Sequence, residues 1–309
     1  MARHIHWLGV LSALASVACN DIDYDPVPVW TPVDTIDGRF RPQVQQVAPD
    51  LNPQGVLRVL TYNVFEGAED KSIADYMLTH PDLAAADVIA LQENEHHPGD
   101  DQSDAARLAG RLDMGYVFAP TGEDAEVGLK GMAILSRYPM QQIEVMRLQR
   151  RTEVELIDEA SRAALAVTIE TVNGPVRIVN IHLDVGHNIP ERVLQLRPAV
   201  LDAPPPLVVL GDFNSNDYIW ASEVVPLIPL DSIADTSQAD ALDDYMRTIG
   251  YETPTSALGN TWHGPGEEQR LDSIFVRGVV PGDRRVVRDL DLSDHWPVWL
   301  DIAVPGKGI

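Results

Sequence analysis

The side chains best suited to chemistry are acids, amides, histidines and one arginine that recur in seven short segments. In chain order these are residues 61–64 (TYNV), 91–93 (LQE), 161–163 (SRA), 180–183 (NIHL), 211–214 (GDFN), 270–272 (RLD) and 293–295 (SDH). Carboxylate and amide oxygens are the ligands that Mg²⁺ prefers, and a guanidinium group can bind two phosphate oxygens at once. A histidine can take a proton from water near neutral pH. The inventory predicts metal-assisted chemistry on a phosphate group.

Most of these segments follow or flank a run of apolar, β-branched residues that is typical of a buried strand. Such runs occupy residues 56–60, 88–91, 176–179 and 207–210. Glycine, proline and aspartate bound them, which indicates where the strands end. Because rigid strands hold the side chains at their ends in a fixed arrangement, we expect the segments to meet at one rim.

The seven segments, in this order, resemble those of the endonuclease/exonuclease/phosphatase superfamily. That group includes DNase I, abasic-site endonucleases, neutral sphingomyelinases and inositol polyphosphate 5-phosphatases. The resemblance covers roughly residues 56–303. Each segment is short enough to occur by chance, so the ordered set carries the identification. It implies an α/β fold of the DNase I type, a four-layer sandwich of two mostly antiparallel sheets face to face with helices outside.

The resemblance also implies a divalent metal site. It assigns metal binding to Glu93 with Asn63 and Asp294 nearby, and Mg²⁺ as the cofactor, with Mn²⁺ or Ca²⁺ as alternatives. Taken singly, Glu93 is typical of a surface acid at a strand end and Asn63 of a turn, so both roles depend on the resemblance. His96 and His97 lack a cysteine or a spaced third ligand, and we interpret them as loop residues near the cleft.

The family resemblance assigns the proton transfer to His295, oriented by Asp272. A carboxylate on the second ring nitrogen would fix the tautomer and stabilise the imidazolium. Gly211 is expected to let the backbone turn sharply after the strand, so that Asp212 and Asn214 point into the cleft. The resemblance implies that this pair aligns the attacking water. The alternative for Ser-Asp-His is a capping turn, which would hold only if Asp272 lay far from His295.

Phosphate binding is assigned by the same resemblance to Arg162, His182 and Asn214. A lone histidine at the end of a strand is more often structural, so the role of His182 depends on the family. A basic cluster precedes Arg162 and consists of Arg147, Arg150 and Arg151. This cluster is the best candidate for an accessory phosphate contact. The alternative for the cluster is a solvated hairpin.

Composition fits one large domain with a tail, since the chain has 309 residues and 45% hydrophobic content. It is strongly acidic, with 47 Asp plus Glu against 23 Lys plus Arg. This balance disfavours a broad basic surface for nucleic acid, although a divalent ion and local arginines can offset the field. Beyond the N-terminal segment, no stretch reaches the roughly 20 apolar residues of a membrane span.

The N-terminal residues are typical of an export signal. A short hydrophobic stretch at 7–15 precedes Ser-Val-Ala-Cys, which is typical of a bacterial lipoprotein signal at residues 1–19 ending on Cys19. Cys19 is the only cysteine, so the chain can form no internal disulfide. We therefore expect an exported protein, anchored to the membrane through Cys19 and facing the periplasm or exterior. A plainly secreted protein is the alternative.

Residues 20–50 form an acidic, proline-punctuated stretch that we expect to be an extended, poorly packed tether. Residues 51–309 then make up the endonuclease/exonuclease/phosphatase domain. Within it, residues 215–260 contain a predicted helix at 240–249 and are the expected substrate-facing variable region. The sequence indicates no protein partner.

Three functions remain open. The first is a divalent-metal-dependent phosphodiesterase or nuclease acting outside the cytoplasm, on nucleic acid, phospholipid or a small phosphoester. The second is a sphingomyelinase-like or inositol-phosphate phosphoesterase, which would want an exposed apolar loop; Trp220 and Trp262 are candidates, with buried packing as the alternative. The third is a non-catalytic binding module, which is disfavoured because every matched position holds a competent residue.

Overall fold

A computed structural model describes residues 28–48, 54–64, 70–124, 128–148, 162–220 and 234–306. Within these ranges the strands are β1 (Thr31–Pro32), β2 (Gln43–Gln45), β3 (Val56–Asn63), β4 (Val88–His96), β5 (Gly115–Asp124), β6 (Gly128–Ser136), β7 (Met140–Arg147), β8 (Ala163–Thr171), β9 (Gly174–His182), β10 (Leu207–Asp212), β11 (Trp262–Gly264), β12 (Glu267–Gln269), β13 (Asp272–Arg277), β14 (Val280–Val286) and β15 (Val298–Ala303). The helices are α1 (Asp70–Thr79), α2 (Pro81–Ala84), α3 (Asp104–Leu112), α4 (Ile189–Val200) and α5 (Gln238–Thr248), with 3₁₀ turns at Val33–Thr35 and Ser256–Leu258.

The strands of the described residues form two large sheets and a small β11–β12 hairpin. One sheet has six strands in the order β1-β7-β8-β9-β10-β13, and the other has seven in the order β14-β15-β3-β4-β6-β5-β2. The β9–β10 pair is parallel in the first sheet and the β3–β4 pair in the second, while the other pairs are antiparallel. The predicted pair of mostly antiparallel sheets is confirmed.

Alternation of apolar side chains places the sheets between helices. In β8, Leu165 and Val167 belong to a cluster shared by both sheets, while Ala164 and Ala166 belong to a second cluster under α4 and α5. A third cluster lies under α1, α2 and α3 on the outer face of the seven-stranded sheet. A strand buried on both faces reads as a continuous apolar run, which is why these strands were recognisable in the sequence. The result is the four-layer sandwich implied by the resemblance.

A buried polar network joins the two sheets just behind the rim. Gln92 Nε2 on β4 donates to Asn180 Oδ1 on β9 at 2.7 Å, and Asn180 Nδ2 donates to the carbonyls of Leu91 and Ala133, both at 2.9 Å. Thr61 on β3 completes the network through Gln92. Buried polar groups are costly unless they are hydrogen-bonded, so this network favours one relative placement of the sheets.

Residues 28–48 differ from the poorly packed tether that we expected. β1 pairs with β7 and β2 pairs with β5, so this stretch contributes an edge strand to each sheet. Trp30 packs against the cluster under α4 and α5, and Val33 and Ile36 pack against the inter-sheet cluster. The apolar residues between the prolines therefore find partners that composition alone does not reveal. The expected signal at 1–19 and the start of the tether lie outside the described residues.

The helix predicted at 240–249 is confirmed as α5, Gln238–Thr248. Part of the expected variable region, residues 221–233, lies outside the described residues. Among the described residues, no helix combines the length and apolar character that crossing a membrane requires.

Candidate active site

Three predicted site residues stand side by side on the six-stranded sheet. The register pairs His182 on β9 with Asp212 on β10, and Asp212 with Asp272 on β13. Two residues away along β10 and β13, Leu210 and Ile274 belong to the inter-sheet cluster. Because side chains alternate along a strand, Asp212 and Asp272 project on the same inner face, and so does their neighbour His182. The row lies at the rim between the sheets.

The seven-stranded sheet contributes Asn63 and Glu93 to the same rim. Asn63 Nδ2 donates to Glu93 Oε1 at 3.0 Å and to Asp212 Oδ2 at 3.1 Å, which joins the two sheets across the site. Glu93 has a φ of 58° and lies where the β4–β6 register shifts between Leu91 and Asn94. A non-glycine residue in this left-handed region is strained. This backbone conformation directs the carboxylate of Glu93 toward Asp212.

Asp212 is the centre of the arrangement. Its Oδ2 lies 3.6 Å from His182 Nε2 and 3.9 Å from His295 Nε2, and its Oδ1 accepts the backbone N–H of Asn214 at 2.8 Å. Burial raises the pKa of Asp212 to about 7; the nearby charge of His295 lowers it, and Asp272 and Glu93 raise it. A buried carboxylate among other carboxylates is suited to bind a cation or to order a water molecule.

Gly211 has a different role from the sharp turn expected from the sequence. It lies inside β10, paired with Ile181 and Ser273, and has a φ of 148°. A Cβ at this position would collide with the carbonyl oxygen of Ile181. Glycine is therefore required for the close approach of β10 to β9, which sets the spacing of Asp212 and His182.

His295 and Asp272 form a hydrogen-bonded pair. His295 Nδ1 lies 2.8 Å from Asp272 Oδ2, and both side chains are buried. Burial alone would lower the pKa of His295, but the charge and hydrogen bond of Asp272, together with Asp212 and Asp294, raise it to about 10. Ser293 Oγ accepts the backbone N–H of His295 at 3.1 Å and donates to the Asn63 carbonyl at 2.8 Å. The capping turn is thus part of the site, and the pair leaves Nε2 directed at Asp212.

Arg162 lies against His182. Its Nη1 is 2.9 Å from His182 Nε2 and 3.1 Å from Nδ1, while its Nε donates to Asp184 Oδ1 at 3.1 Å. Burial, then the positive charges of Arg162 and His295, lower the pKa of His182 well below its ordinary value. His182 is therefore neutral. Burial raises the pKa of Asp184, but the charges of Arg162 and His187 and the hydrogen bonds from Gln195 and Arg162 together outweigh it and lower that pKa.

Asn214 completes the turn after β10. It has a φ of 49°, and its Nδ2 donates to the Leu183 carbonyl at 2.8 Å. The strained turn and this hydrogen bond hold Asn214 beside Asp212, as predicted from the GDFN segment.

The donor set fits a divalent cation. Glu93, His182 and Asp212 each offer a ligand atom, and these atoms lie within 4.8 Å of one another. This group differs from the predicted set of Glu93, Asn63 and Asp294, with Glu93 in both. Asp294 Oδ2 instead accepts from Trp262 Nε1 at 2.7 Å, and its part in metal binding stays a prediction.

Comparison with known proteins identifies the chain at this point. The sequence profile described as the Endonuclease/Exonuclease/phosphatase family matches residues 60–295, from within β3 to His295. The chain belongs to this family. The match contains all seven segments in full and begins one residue before the first of them, at Thr61. Comparison with curated protein sequences gave no match.

Solved structures support the family fold. An endonuclease/exonuclease/phosphatase from Beutenbergia cavernae is similar with a TM-score of 0.62 and 22% identity, over 81% of this chain and 72% of that one. A family protein from Leptotrichia buccalis gives 0.59 and 16%, over 80% and 99%. The human Nocturnin catalytic domain with bound sulfate gives 0.53 and 18%, over 88% and 100%. At these identities the likeness establishes the fold alone.

Several site residues of this family member were missed by the sequence analysis. Asp184, which holds Arg162, lies two positions after His182 and beyond the end of β9, where no strand alternation could indicate it. Trp262, which holds Asp294, was weighed only as an apolar loop residue. Thr261 Oγ1 accepts the backbone N–H groups of Leu271 and Asp272 at 3.0 and 2.9 Å, which fixes the start of β13.

A second group of possible ligands lies nearby. Glu95, His97 and Asp104 also have ligand atoms within 4.8 Å of one another. The fold supplies Asp104 as the third partner, from the start of α3, which sequence spacing did not predict. His96 is the last residue of β4 rather than a loop residue. Asp104 is already ion-paired with Arg107, and we assign no function to this group.

Proposed function

We propose that this protein is a divalent-metal-dependent phosphodiesterase that hydrolyses its substrate by direct attack of water. The observation that carries the proposal is the 2.8 Å pair of His295 and Asp272, in which the second ring nitrogen of His295 faces Asp212, a possible cation ligand together with Glu93. A base, a buried carboxylate and cation ligands at one rim are the parts that such a reaction needs.

The roles follow from the contacts. His295 Nε2 accepts a proton from the attacking water, and Asp272 stabilises the imidazolium that forms. Asp212 and Asn214 align the water for attack on phosphorus as the bond to the leaving oxygen breaks. Neutral His182 and Arg162 donate to the other phosphoryl oxygens. A cation bound by Glu93 with its neighbours would polarise a phosphoryl oxygen and stabilise the leaving oxygen.

The electrostatics of His295 support a link between cation and base. Asp272, Asp212 and Asp294 raise the pKa of His295 to about 10, so these carboxylates favour the protonated ring. A positive charge beside Asp212 would offset the carboxylates and therefore lower the pKa of His295. On this proposal His295 serves as the base when a cation is bound beside Asp212.

The test is hydrolysis of a panel of phosphoesters by the purified protein with Mg²⁺ or Mn²⁺. We expect turnover of simple phosphodiesters, its loss in excess chelator and its return when the ion is restored, because Glu93 and its neighbours hold the ion that the reaction needs. Plasmid DNA, RNA, sphingomyelin and p-nitrophenyl monoesters complete the panel. Full activity in excess chelator, or monoester turnover alone, would contradict the proposal.

The described tryptophans give no support to a lipid-binding loop. Trp220 is buried, and its Nε1 donates to Asn216 Oδ1 at 2.9 Å. Trp262 is partly buried and held by Asp294. Both indole rings are therefore engaged in packing, which favours the alternative stated for them in the sequence analysis.

We also propose that the domain acts outside the cytoplasm, anchored through lipid on Cys19. The support is the Ser-Val-Ala-Cys segment, which precedes the described residues. Since residues 28–48 pack on the domain, residues 20–27 would link it to the anchor, a span of at most roughly 28 Å.

Metabolic labelling with a fatty-acid probe should mark the wild type and not Cys19→Ser. Equal, unlabelled release of both forms would argue for a plainly secreted protein.

A further inference from the structure

The row of site residues on the six-stranded sheet continues beyond His182. The register pairs His182 with Ala163 on β8, and Ala163 with Arg147 at the end of β7. Ala163 and Val145 belong to the inter-sheet cluster, whereas Met146 does not. Because directly opposed residues share a face, Arg147 projects on the same inner face as His182 and Asp212. It lies two strand spacings, roughly 10 Å, from His182.

Ala163 lies between the two positions and is buried, with 1% of its surface exposed. The register therefore places the reaction centre and an exposed guanidinium on the same face of the sheet, one strand to either side of Ala163.

Arg147 is held at the rim without being neutralised. Its Nη1 donates to the Thr121 carbonyl at 3.3 Å, and its Cζ lies 5.3 Å from the centroid of the Phe40 ring. Arg39 approaches the same ring, with Cζ at 4.9 Å. Glu123 pairs with Arg39, but Arg147 has no carboxylate partner among the described residues.

An arginine with no carboxylate partner among the described residues is informative at this place because of the net charge of the chain. The formal charge is −24 at pH 7, so most of the molecule repels anions. A guanidinium carries five N–H donors, and one of those of Arg147 is used by Thr121. Stacking on Phe40 orients the remaining donors without neutralising the charge. The arrangement suits an anionic group of a substrate whose reacting phosphate lies at the reaction centre.

We propose that Arg147, supported by Phe40 and Arg39, is a second anion subsite that binds a phosphate group of the substrate other than the one hydrolysed. The inference rests on the proposed phosphodiesterase function, since the position of the subsite is given by its register with His182. The preferred substrate then carries at least two phosphates, one at the reaction centre and one at Arg147. A simple phospholipid diester, with a single phosphate, leaves the subsite empty.

The test compares matched substrates that differ by one phosphate. Thymidine dinucleotide is compared with its 5′- and 3′-phosphorylated forms, and glycerophosphoinositol with its ring-phosphorylated form, so that the two series distinguish a nucleotide from an inositol source. For the wild type, kcat/KM is expected to be about tenfold higher for a two-phosphate form in one series, the lower end of what a charge-assisted hydrogen bond contributes.

The variants decide whether Arg147 is responsible. Arg147→Ala is expected to reduce that preference to near unity. The matched control is Arg284→Ala, an exposed arginine on β14 whose recorded contact is the carbonyl of Gly282 at 3.2 Å; it should keep the wild-type preference. No preference in either series, or a preference that survives Arg147→Ala, would overturn the subsite. Failure to hydrolyse any diester would overturn the proposed function itself.

Discussion

Replacing His295 with glutamine is expected to lower turnover of a phosphodiester by about 10²–10⁴-fold, the usual contribution of a positioned acid or base. Glutamine is chosen because its amide can still donate to Asp272, which would otherwise be left as a buried, unpaired carboxylate. The measurement is kcat on a simple diester at saturating Mg²⁺, with thermal unfolding to confirm that the variant is folded. A folded variant with near-wild-type turnover would move the base elsewhere, with Asp212 as the next candidate.

Asp272→Asn is the companion variant for this prediction. On the proposed mechanism, activity is expected to rise with pH as His295 loses its proton, and Asp272 contributes most of the attraction that raises the pKa of His295. Removing that charge lowers the pKa, so the acid limb of kcat/KM should move to lower pH while the plateau falls. If Asp272 only stabilised the fold, Asp272→Asn would change the thermal stability but would leave the acid limb of kcat/KM at the same pH.

Glu93→Gln is expected to weaken Mg²⁺ or Mn²⁺ binding by more than the 10–100-fold that loss of a ligand's hydrogen-bonded partner causes, with a matching fall in kcat/KM. Glu93 belongs both to the predicted metal set and to the group that the fold assembles with His182 and Asp212. In the wild type, Asn63 Nδ2 donates to Glu93 Oε1 at 3.0 Å, and glutamine keeps an acceptor for this hydrogen bond. The loss of metal affinity therefore reports the missing charge. Calorimetric titration of the metal measures the affinity independently of activity.

Glu95→Gln is the control for Glu93, since it removes a carboxylate from the same strand two positions away. The Glu95→Gln variant should keep the wild-type value of the Mg²⁺ or Mn²⁺ affinity on which activity depends. If Glu95→Gln abolished metal-dependent turnover while Glu93→Gln did not, the group of Glu95, His97 and Asp104 would be the working site, and the assignment of Glu93 would be wrong.

Local sequence was sufficient for four strands of the two sheets, β3, β4, β9 and β10, whose ends carry several of the predicted site residues. The apolar run at 207–210 became β10 and that at 176–179 became part of β9, because strands buried on both faces need uninterrupted apolar residues. The prediction of a poorly packed tether was wrong for residues 28–48, because the short strands β1 and β2 gain their stability from the neighbouring strands β7 and β5. Edge strands of this length have no periodicity to recognise.

What the sequence determined by itself was the chemical inventory, the order of the segments and the strand ends on which the acids, amides and histidines lie. These depend on residue type and on contacts close along the chain. Only the tertiary structure decided that Asp212 lies between His182 and His295, that Trp262 holds Asp294, and that Arg147 shares a face with the reaction centre. Those relations depend on register between strands far apart in sequence, where a shift of one residue would turn each side chain to the opposite face.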